Sequence, residues 1–424
     1  MHGRTRHWLW LPNAGGAYPW DIQIKRAEVL TFLARWPEAE AIYRDGLNVA
    51  AAPGFAPFLA EARSLLGGLL RQMGRYDQSM ELLTKALAFY EKDGGRLGIS
   101  RVLGSLGGLY LCRGEHEQAR VCYERELVMA RQDSDRRRIG HALGNIGSIH
   151  YERGEFDRAL ACYREKLALA EAMGERYTEG IALGNLGNVY AELGDYPAAM
   201  DCYRRKLEIS TLLGDKEGIG IAVGNLGIIH AEQGRHREAH DCYTKRLEVA
   251  EEIGDRRGAA IALCNMGNLY KQTGDRTKAH GCYDRAIAIG QETGIGYLGY
   301  FLYDKADLLY SEKRYEQSRA LNREALAISE KKGWPDQVFK CRLLGAKLAA
   351  AGDKGQGAAL VREILNRELS DLQEAEARHE LWRIAGDEES RALAIYRARQ
   401  ARAAKDDYRE RIEELEGKNR SGEK

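Results

Sequence analysis

The sequence repeats itself every 40 residues, and this period constrains the fold more strongly than any other feature. A string of the form Gly-Asn-Leu-Gly, with close variants, begins at Gly104, Gly144, Gly184, Gly224 and Cys264. A Cys-Tyr pair keeps the same step, and its tyrosines are Tyr123, Tyr163, Tyr203, Tyr243 and Tyr283. Self-similarity at a fixed period of a few tens of residues indicates a chain built by stacking one supersecondary unit many times.

Each unit has the pattern of two helices. From Gly180 to Glu192 the apolar residues follow helical spacing, and Gly194 predicts the end of that helix because glycine adopts the left-handed conformation of a C-cap. Gly187 lies on the apolar face, where the lack of a side chain allows a neighbouring helix to come close. A second helix is predicted from Tyr196 to Leu213, and Asp215 is placed to cap the helix that follows.

These residues resemble the tetratricopeptide repeat. Its pattern, W-x2-L-G-x2-Y and then A-x3-F, is matched by Leu183, Leu186-Gly187, Tyr190, Ala199 and Tyr203, with Leu in place of Trp and Tyr in place of Phe. The long unit resembles the repeats of the Pins/LGN family and of bacterial signalling-protein arrays. The resemblance implies an all-α fold, an α-solenoid wound as a right-handed superhelix of about eight to ten antiparallel helix-pair repeats.

The register also predicts domain limits. Residues 21–333 hold eight repeats, the last of which follows a one-residue shortening of the period. Residues 334–416 are expected to form degenerate helical repeats and a C-terminal capping helix, and 417–424 a disordered tail. Residues 1–20 are atypical, and they are consistent with an extended arm, an extra capping segment or a misassigned start codon. Since the first pair has the pattern of an array interior, derivation from a longer parent chain is a further hypothesis.

The overall charge gives no reason to favour nucleic acid or a membrane surface as the partner. Lys and Arg number 64 and Asp and Glu 63, a formal net charge of +1. No apolar run approaches the ~20 residues that span a bilayer, and the N-terminus lacks the apolar stretch of a secretory signal. We therefore expect a cytoplasmic protein that binds neither nucleic acid nor membranes; the sequence does not indicate its oligomeric state.

A polar stripe is predicted on the first helices, opposite their apolar face. Its asparagines are Asn145, Asn185, Asn188, Asn225, Asn265 and Asn268. In the resembled family the first helices line a concave groove that holds a segment of a partner protein. An asparagine amide both donates and accepts, as a peptide backbone requires, so these residues are predicted to bind a peptide. The alternative is that they bond to neighbouring helices and set the repeat geometry.

Charged residues recur in the same register. Glu152, Glu192 and Glu232 would give one groove edge an acidic character that favours a partner with Lys or Arg, although solvated surface charge explains them equally well. The second helices carry basic residues, namely Arg164, Lys166, Arg204, Arg205, Lys206, Lys245 and Arg246. These are expected either to form a convex basic stripe or, more commonly, to make a solubilising face.

No motif predicts catalysis, a metal site or a cofactor. His236 and His240, with His280 and Cys282, lack a clear carboxylate and a recognised zinc motif. The five repeated cysteines are expected to be packing residues, because equivalent positions lie too far apart for disulfides. The favoured function is thus a non-catalytic scaffold that binds a peptide-like segment of a partner protein. The alternative is the regulatory or sensor arm of a signalling system with a kinase, cyclase or ATPase, and RNA binding is disfavoured.

Overall fold

The computed structural model describes residues 19–49, 56–294, 296–367 and 369–386, and within them the chain forms nineteen α-helices and no strand. In chain order they are α1 (Pro19–Phe32), α2 (Trp36–Val49), α3 (Ala56–Gln72), α4 (Tyr76–Asp93), α5 (Arg96–Cys112), α6 (His116–Gln132), α7 (Arg136–Glu152), α8 (Phe156–Met173), α9 (Arg176–Glu192), α10 (Tyr196–Leu213), α11 (Lys216–Glu232), α12 (His236–Ile253), α13 (Arg256–Gln272), α14 (Arg276–Thr293), α15 (Leu298–Ser311), α16 (Tyr315–Lys332), α17 (Pro335–Ala350), α18 (Lys354–Leu365) and α19 (Asp371–Ala385).

Consecutive helices pack as antiparallel pairs joined by short turns. The chain divides into two compact units, residues 1–169 and 170–424, and the division falls within α8. The first unit contains the pairs α1–α2, α3–α4 and α5–α6 together with α7. The second contains the pairs from α9–α10 to α17–α18, followed by α19. The predicted all-α architecture of stacked helix pairs is therefore confirmed.

The helix ends lie where the glycines and aspartates predicted them. Gly194 and Gly214 follow α9 and α10 with φ of 75° and 67°, a conformation that favours glycine. Asp215 caps α11, since its carboxylate accepts a hydrogen bond of 3.0 Å from the backbone N–H of Gly218. Asp255 makes the same cap on α13. Each repeat thus carries its own stop and start signals.

Inside a pair, the two helices interlock through a glycine and a tyrosine. A Cβ atom added to Gly187 of α9 would lie 2.5 Å from Cε1 of Tyr203 in α10, a residue only 3% exposed. Gly267 and Tyr283 repeat this contact between α13 and α14, at 2.6 Å. The same contact joins Gly107 to Tyr123, Gly147 to Tyr163 and Gly227 to Tyr243. The missing side chain on the first helix is the space that the ring from the second helix fills.

Successive pairs pack mainly through the second helix of one pair and the first helix of the next, such as α10 on α11 and α12 on α13, and they also touch through their first helices. In the second unit α9 contacts α11, α11 contacts α13, α13 contacts α15 and α15 contacts α17. In the first unit α3 contacts α5 in the same way. In the second unit the first helices therefore form one continuous surface.

Helices α1–α16 make eight pairs over the range in which eight repeats are predicted, whereas the proposed domain limits stay a prediction. The predicted C-terminal helix from Glu388 and the tail from 417 lie outside the described residues, as do residues 1–18 of the atypical N-terminal segment. None of the helices described is both long and apolar enough to cross a bilayer.

The glycine–tyrosine interlock predicts opposite effects for two alanine substitutions in one helix pair. Gly267→Ala would drive a methyl group into the Tyr283 ring, and we expect a loss of about 2 kcal/mol, as in other overpacked cores. Gly281 is exposed on α14, and no atom lies near the new Cβ. Gly281→Ala should therefore leave the free energy of unfolding unchanged or raise it by up to about 1 kcal/mol. Denaturant midpoints followed by circular dichroism would measure both, and an unchanged midpoint for Gly267→Ala would contradict the interlock.

Candidate functional site on the face of the first helices

The predicted polar stripe lies on the partly exposed face of the first helices. On α9 its members are Ile181, Asn185, Asn188 and Glu192, and each is at least partly exposed while the intervening Leu183 and Leu186 are buried. The equivalents on α11 and α13 follow the same alternation. The predicted placement of the stripe opposite the packed face is what the helical spacing requires.

Two of the predicted asparagines are held by the tyrosines of the interlock. The hydroxyl of Tyr203 donates to Oδ1 of Asn188 at 2.8 Å, and that of Tyr283 donates to Oδ1 of Asn268 at 2.6 Å. These bonds fix each amide in one orientation, with its Nδ2 free to donate elsewhere. Asn188 and Asn268 thus contribute to the repeat architecture, which is the alternative that the sequence left open for them.

Asparagine side chains also connect one helix pair to the next. Nδ2 of Asn225 donates to Oδ1 of Asn188 at 3.2 Å, which joins α11 to α9. Nδ2 of Asn268 donates to the carboxylate of Asp304 on α15 at 3.3 Å. Asp304 occupies the position of Asn185 in the shortened repeat, and burial raises the pKa of its carboxyl. The sequence analysis missed Asp304 because the one-residue shift takes it out of the 40-residue ladder.

The remaining asparagines keep their hydrogen-bonding capacity. Asn185 and Asn265 are partly exposed and make no side-chain hydrogen bond to any residue that the structure describes. Asn145, in the first unit, has only a 3.4 Å contact between its Nδ2 and Nδ1 of His141. A partly buried amide without partners in the protein can still bind a backbone from outside.

The three predicted glutamates are the last residues of their helices. Glu152, Glu192 and Glu232 end α7, α9 and α11, and all three are exposed. Glu152 lies 3.2 Å from Nδ1 of His116, and the Tyr196 hydroxyl is 3.5 Å from Glu232. A carboxylate at a helix C-terminus faces the negative end of the helix dipole, so helix stability does not account for this recurrence.

Part of the predicted basic stripe lies elsewhere than expected. One second-helix position, hereafter the floor position, faces the first helices and is occupied by Glu126, Lys166, Lys206, Arg246 and Ala286. Its side chain reaches the first glycine of the Gly-Asn-Leu-Gly string, and the Lys206 side chain lies 3.2 Å from a Cβ placed on Gly184. The prediction of a convex stripe is therefore wrong for Lys166, Lys206 and Arg246, because glycine opens a path toward the first helices. Where Cys264 replaces that glycine, the floor residue is Ala286.

Lys206 reaches a small cavity on the stripe face. The cavity has a volume of about 120 Å³ and lies between the first turns of α9 and α11, where Ile181 and Ile221 line it. Burial lowers the pKa of the Lys206 ammonium, and the carboxylates of Asp215 and Glu217 act in the opposite direction. Lys206 is 9% exposed and makes no ion pair within the described part of the chain. The cavity thus contains a lysine that makes no ion pair, and the carboxylates of Asp215 and Glu217 line the same cavity.

The pair α5–α6 places an acid at the floor position instead. Burial raises the pKa of Glu126 to about 7, against smaller opposing effects of a hydrogen bond from Ser100 and the charge of Arg138. Ser100 donates to one carboxylate oxygen at 3.4 Å, while the other oxygen is buried without a hydrogen-bond partner. Glu126 is therefore a proton-binding group close to neutral pH.

The histidines and cysteines that the sequence singles out have partners or are at least partly buried within the helix packing. In the ranges described, no three His, Cys, Asp or Glu side chains come together as a metal site would require. His240 bonds to the Tyr270 hydroxyl at 2.9 Å, and His280 to Glu312 at 3.1 Å. All eight cysteines are free thiols, and burial raises the pKa of the Cys122 thiol to about 11, so it is a weak nucleophile.

Comparison with sequence families finds the same repeat along most of the chain. A profile of the tetratricopeptide repeat matches residues 21–92, 98–172 and 178–252, and a second profile of the same repeat matches residues 260–289. No curated protein matches the sequence significantly.

Solved structures include several with a similar fold. A Rap protein complexed with Competence and Sporulation Factor has a TM-score of 0.57 at 14% identity, over 85% of this chain and 98% of that chain. The apo form of RapI has a TM-score of 0.53 at 15% identity, over 64% of this chain and 97% of that chain. A STAND protein with a tetratricopeptide repeat sensor from Pyrococcus horikoshii has a TM-score of 0.49 at 17% identity, over 80% and 54%. At these identities the likeness concerns the fold alone.

The raised pKa of Glu126 predicts a pH-dependent gain in stability for Glu126→Gln. Between the ordinary carboxyl pKa of 4.5 and the folded value of about 7, the unfolded chain loses its proton first, so the wild type loses stability as the pH rises through this range. The variant escapes this loss. Its advantage should be small at about pH 5 and grow to roughly 2–3 kcal/mol at about pH 8.

Denaturant unfolding at both pH values would measure this difference. Glu208→Gln is the matched control, because Glu208 is exposed on a second helix and should give the same difference at both pH values. A Glu126→Gln advantage that does not change with pH would show that the carboxyl is ionised throughout.

Proposed function

The chain belongs to the tetratricopeptide repeat family, and on that premise we propose that it is a non-catalytic scaffold whose first helices form a concave groove for a peptide-like segment of another protein. The observation that carries the proposal is the pair of unengaged amides at Asn185 and Asn265, set one on each side of Asn225 along the same face. Asn188, Asn225 and Asn268 bond to other residues of the stack. Asn185 and Asn265 make no such bond to the residues described.

The spacing of the stripe suits an extended chain. First helices in contact lie roughly 10 Å apart, and an extended chain rises about 3.3 Å per residue. One helix pair therefore corresponds to about three residues of an extended partner. An amide at each step can donate to a carbonyl and accept from an N–H of that backbone, which gives affinity with little dependence on the partner's side chains.

The charges favour a partner that is acidic on one side. At the N-terminal ends of α9 and α11, the buried Lys206 ammonium makes no ion pair and the helix dipoles are positive. At the C-terminal ends Glu192 and Glu232 are exposed. We infer a segment whose Asp or Glu side chains point toward the Lys206 cavity and whose Lys or Arg side chains, if it has them, lie along the glutamates.

A regulatory role is the second candidate. The Rap protein of similar fold is complexed with Competence and Sporulation Factor, so a stack of this kind is able to hold a factor. If this chain acts as the sensor arm of a signalling system, occupancy of the same stripe would change how its helix pairs pack. The two roles share one binding face and differ in whether binding alters the shape of the stack.

The stripe predicts that four substitutions together abolish partner binding. We expect a variant with Asn145, Asn185, Asn225 and Asn265 changed to Ala to lose a partner that the wild type captures from lysate of its host. Because Asn225 already donates to Asn188, three amides contribute to binding, and their loss at about 1 kcal/mol each would weaken it by about a hundredfold. Affinity capture with mass spectrometry, followed by titration of the identified segment, would measure it.

Asp201→Ala with Asp241→Ala is the matched control, because both residues are exposed on second helices. This control should retain the partner, and circular dichroism must show both variants to be folded. A folded four-asparagine variant that binds the segment as tightly as the wild type would mean that the ladder is architectural.

The floor cation predicts the charge of the partner. Selection from a random peptide display library on the wild type should enrich peptides with Asp or Glu, and Lys206→Met should remove that enrichment because it takes away the unpaired cation. Arg204→Met changes an exposed arginine two residues away and should keep it. Selection of equally acidic peptides by Lys206→Met would show that the cavity does not select peptides by their charge.

A further inference from the structure

A larger cavity lies away from the first-helix face, in the C-terminal part of the second unit. It is a cleft of about 530 Å³ between α16 and α18, with α17 beneath it. Its wall on α16 includes Arg319, Asn322 and Arg323, and Gly345 leaves space on α17. Pockets of this size commonly hold small molecules, and the face it opens on is formed by second helices.

The cleft lies where the tyrosine ladder ends. In the shortened register Tyr315, Ser318 and Asn322 of α16 correspond to Tyr196, Ala199 and Tyr203 of α10. Asn322 therefore stands where five preceding pairs have the interlocking tyrosine. A tyrosine of the ladder packs against the first helix of its own pair, whereas the smaller Asn322 side chain reaches α17 and lines the cleft.

The amide of Asn322 has one buried atom without a partner. Its Nδ2 donates to the backbone carbonyl of Cys341 at 2.8 Å, and this bond fixes the orientation of the amide. Oδ1 has no hydrogen-bond partner although the residue is only 5% exposed. Because a buried acceptor without a donor is destabilising, this oxygen marks the position of a donor that comes from outside the chain.

The cleft is also rich in cations. Arg323 makes no ion pair with the residues described, and the nearest carboxylate to Arg319 is that of Glu316 at 3.9 Å. The two carboxylates that line the cleft are already engaged, since Asp353 caps α18 and Glu363 pairs with the arginine that follows that helix. Arg323 thus remains available to an anion, and Arg319 keeps further donors although its Nη2 donates to the Leu348 carbonyl at 3.4 Å.

We propose that this cleft binds a small organic anion that carries an apolar body and one hydrogen-bond donor. The anionic group lies between Arg319 and Arg323, and the donor reaches Oδ1 of Asn322. The apolar body lies against Leu326, Leu360 and Ile364, which line the same cleft. This site is independent of the groove on the first helices, and it lies where the tyrosine ladder ends.

N-acetyltryptophan is a suitable probe, because it has a carboxylate, an apolar ring system and an amide N–H. Its neutral analogue, N-acetyltryptophan amide, differs mainly in charge. Saturation-transfer NMR on the full chain should show binding of the carboxylate, with the amide at least about fivefold weaker. Changing Arg319 and Arg323 together to Gln should weaken the carboxylate by about tenfold and leave the amide unchanged.

Two further variants separate the cleft from the rest of the surface. Gly345→Leu fills the space on α17 and should abolish binding of both probes, whereas Arg204→Gln with Arg237→Gln removes two exposed arginines elsewhere and should change neither. Melting curves establish that each variant is folded. The proposal is overturned if neither probe binds the wild type, if the two bind equally, or if the double arginine variant retains the preference for the carboxylate.

Discussion

The structure depends on one contact, the tyrosine ring of a second helix packed against a glycine of the first. In the pair α9–α10 the two helices lie so close that even a methyl group on Gly187 would overlap the ring of Tyr203. The ring fixes how near the two helices lie, and its hydroxyl then bonds to Asn188 on the partly exposed face of the first helix. Core packing and surface geometry are thus set by the same residue, so substitutions at Tyr203 would disturb both.

A second glycine, the first of the Gly-Asn-Leu-Gly string, determines whether a charged side chain occupies the floor position. Where the Gly-Asn-Leu-Gly string begins with glycine, the floor position holds a long ionisable side chain, and where it begins with Cys264 the floor residue is Ala286. Burying an unpaired Lys206 or Glu126 costs stability, and a stack designed only for stability would carry apolar residues there. The retention of charge in four successive pairs therefore favours a role in recognition over a role in folding.

Much of this fold is predictable from the sequence, because helix spacing, capping glycines and the repeat period all act locally. Gly194, Gly214 and Asp215 have the roles that their positions predict. The direction of the Lys206 side chain was not predictable, since exposure of a long side chain depends on whether the facing helix leaves room. The sequence also could not predict which asparagines bond within the stack. Asn188 and Asn185 have the same chemistry, and only the position of the Tyr203 hydroxyl distinguishes them.

A stack of near-identical pairs offers a periodic surface, and the ligand that fits a periodic surface is itself periodic. An extended backbone meets this condition, because its donors and acceptors recur every few ångströms whatever its side chains are. A small molecule does not, and a site for one must occur where the period fails. Asn322 is such a place, since it replaces the tyrosine, lines the cleft and carries a buried acceptor without a donor. Regular repeats and the end of their tyrosine ladder thus suit two different classes of ligand.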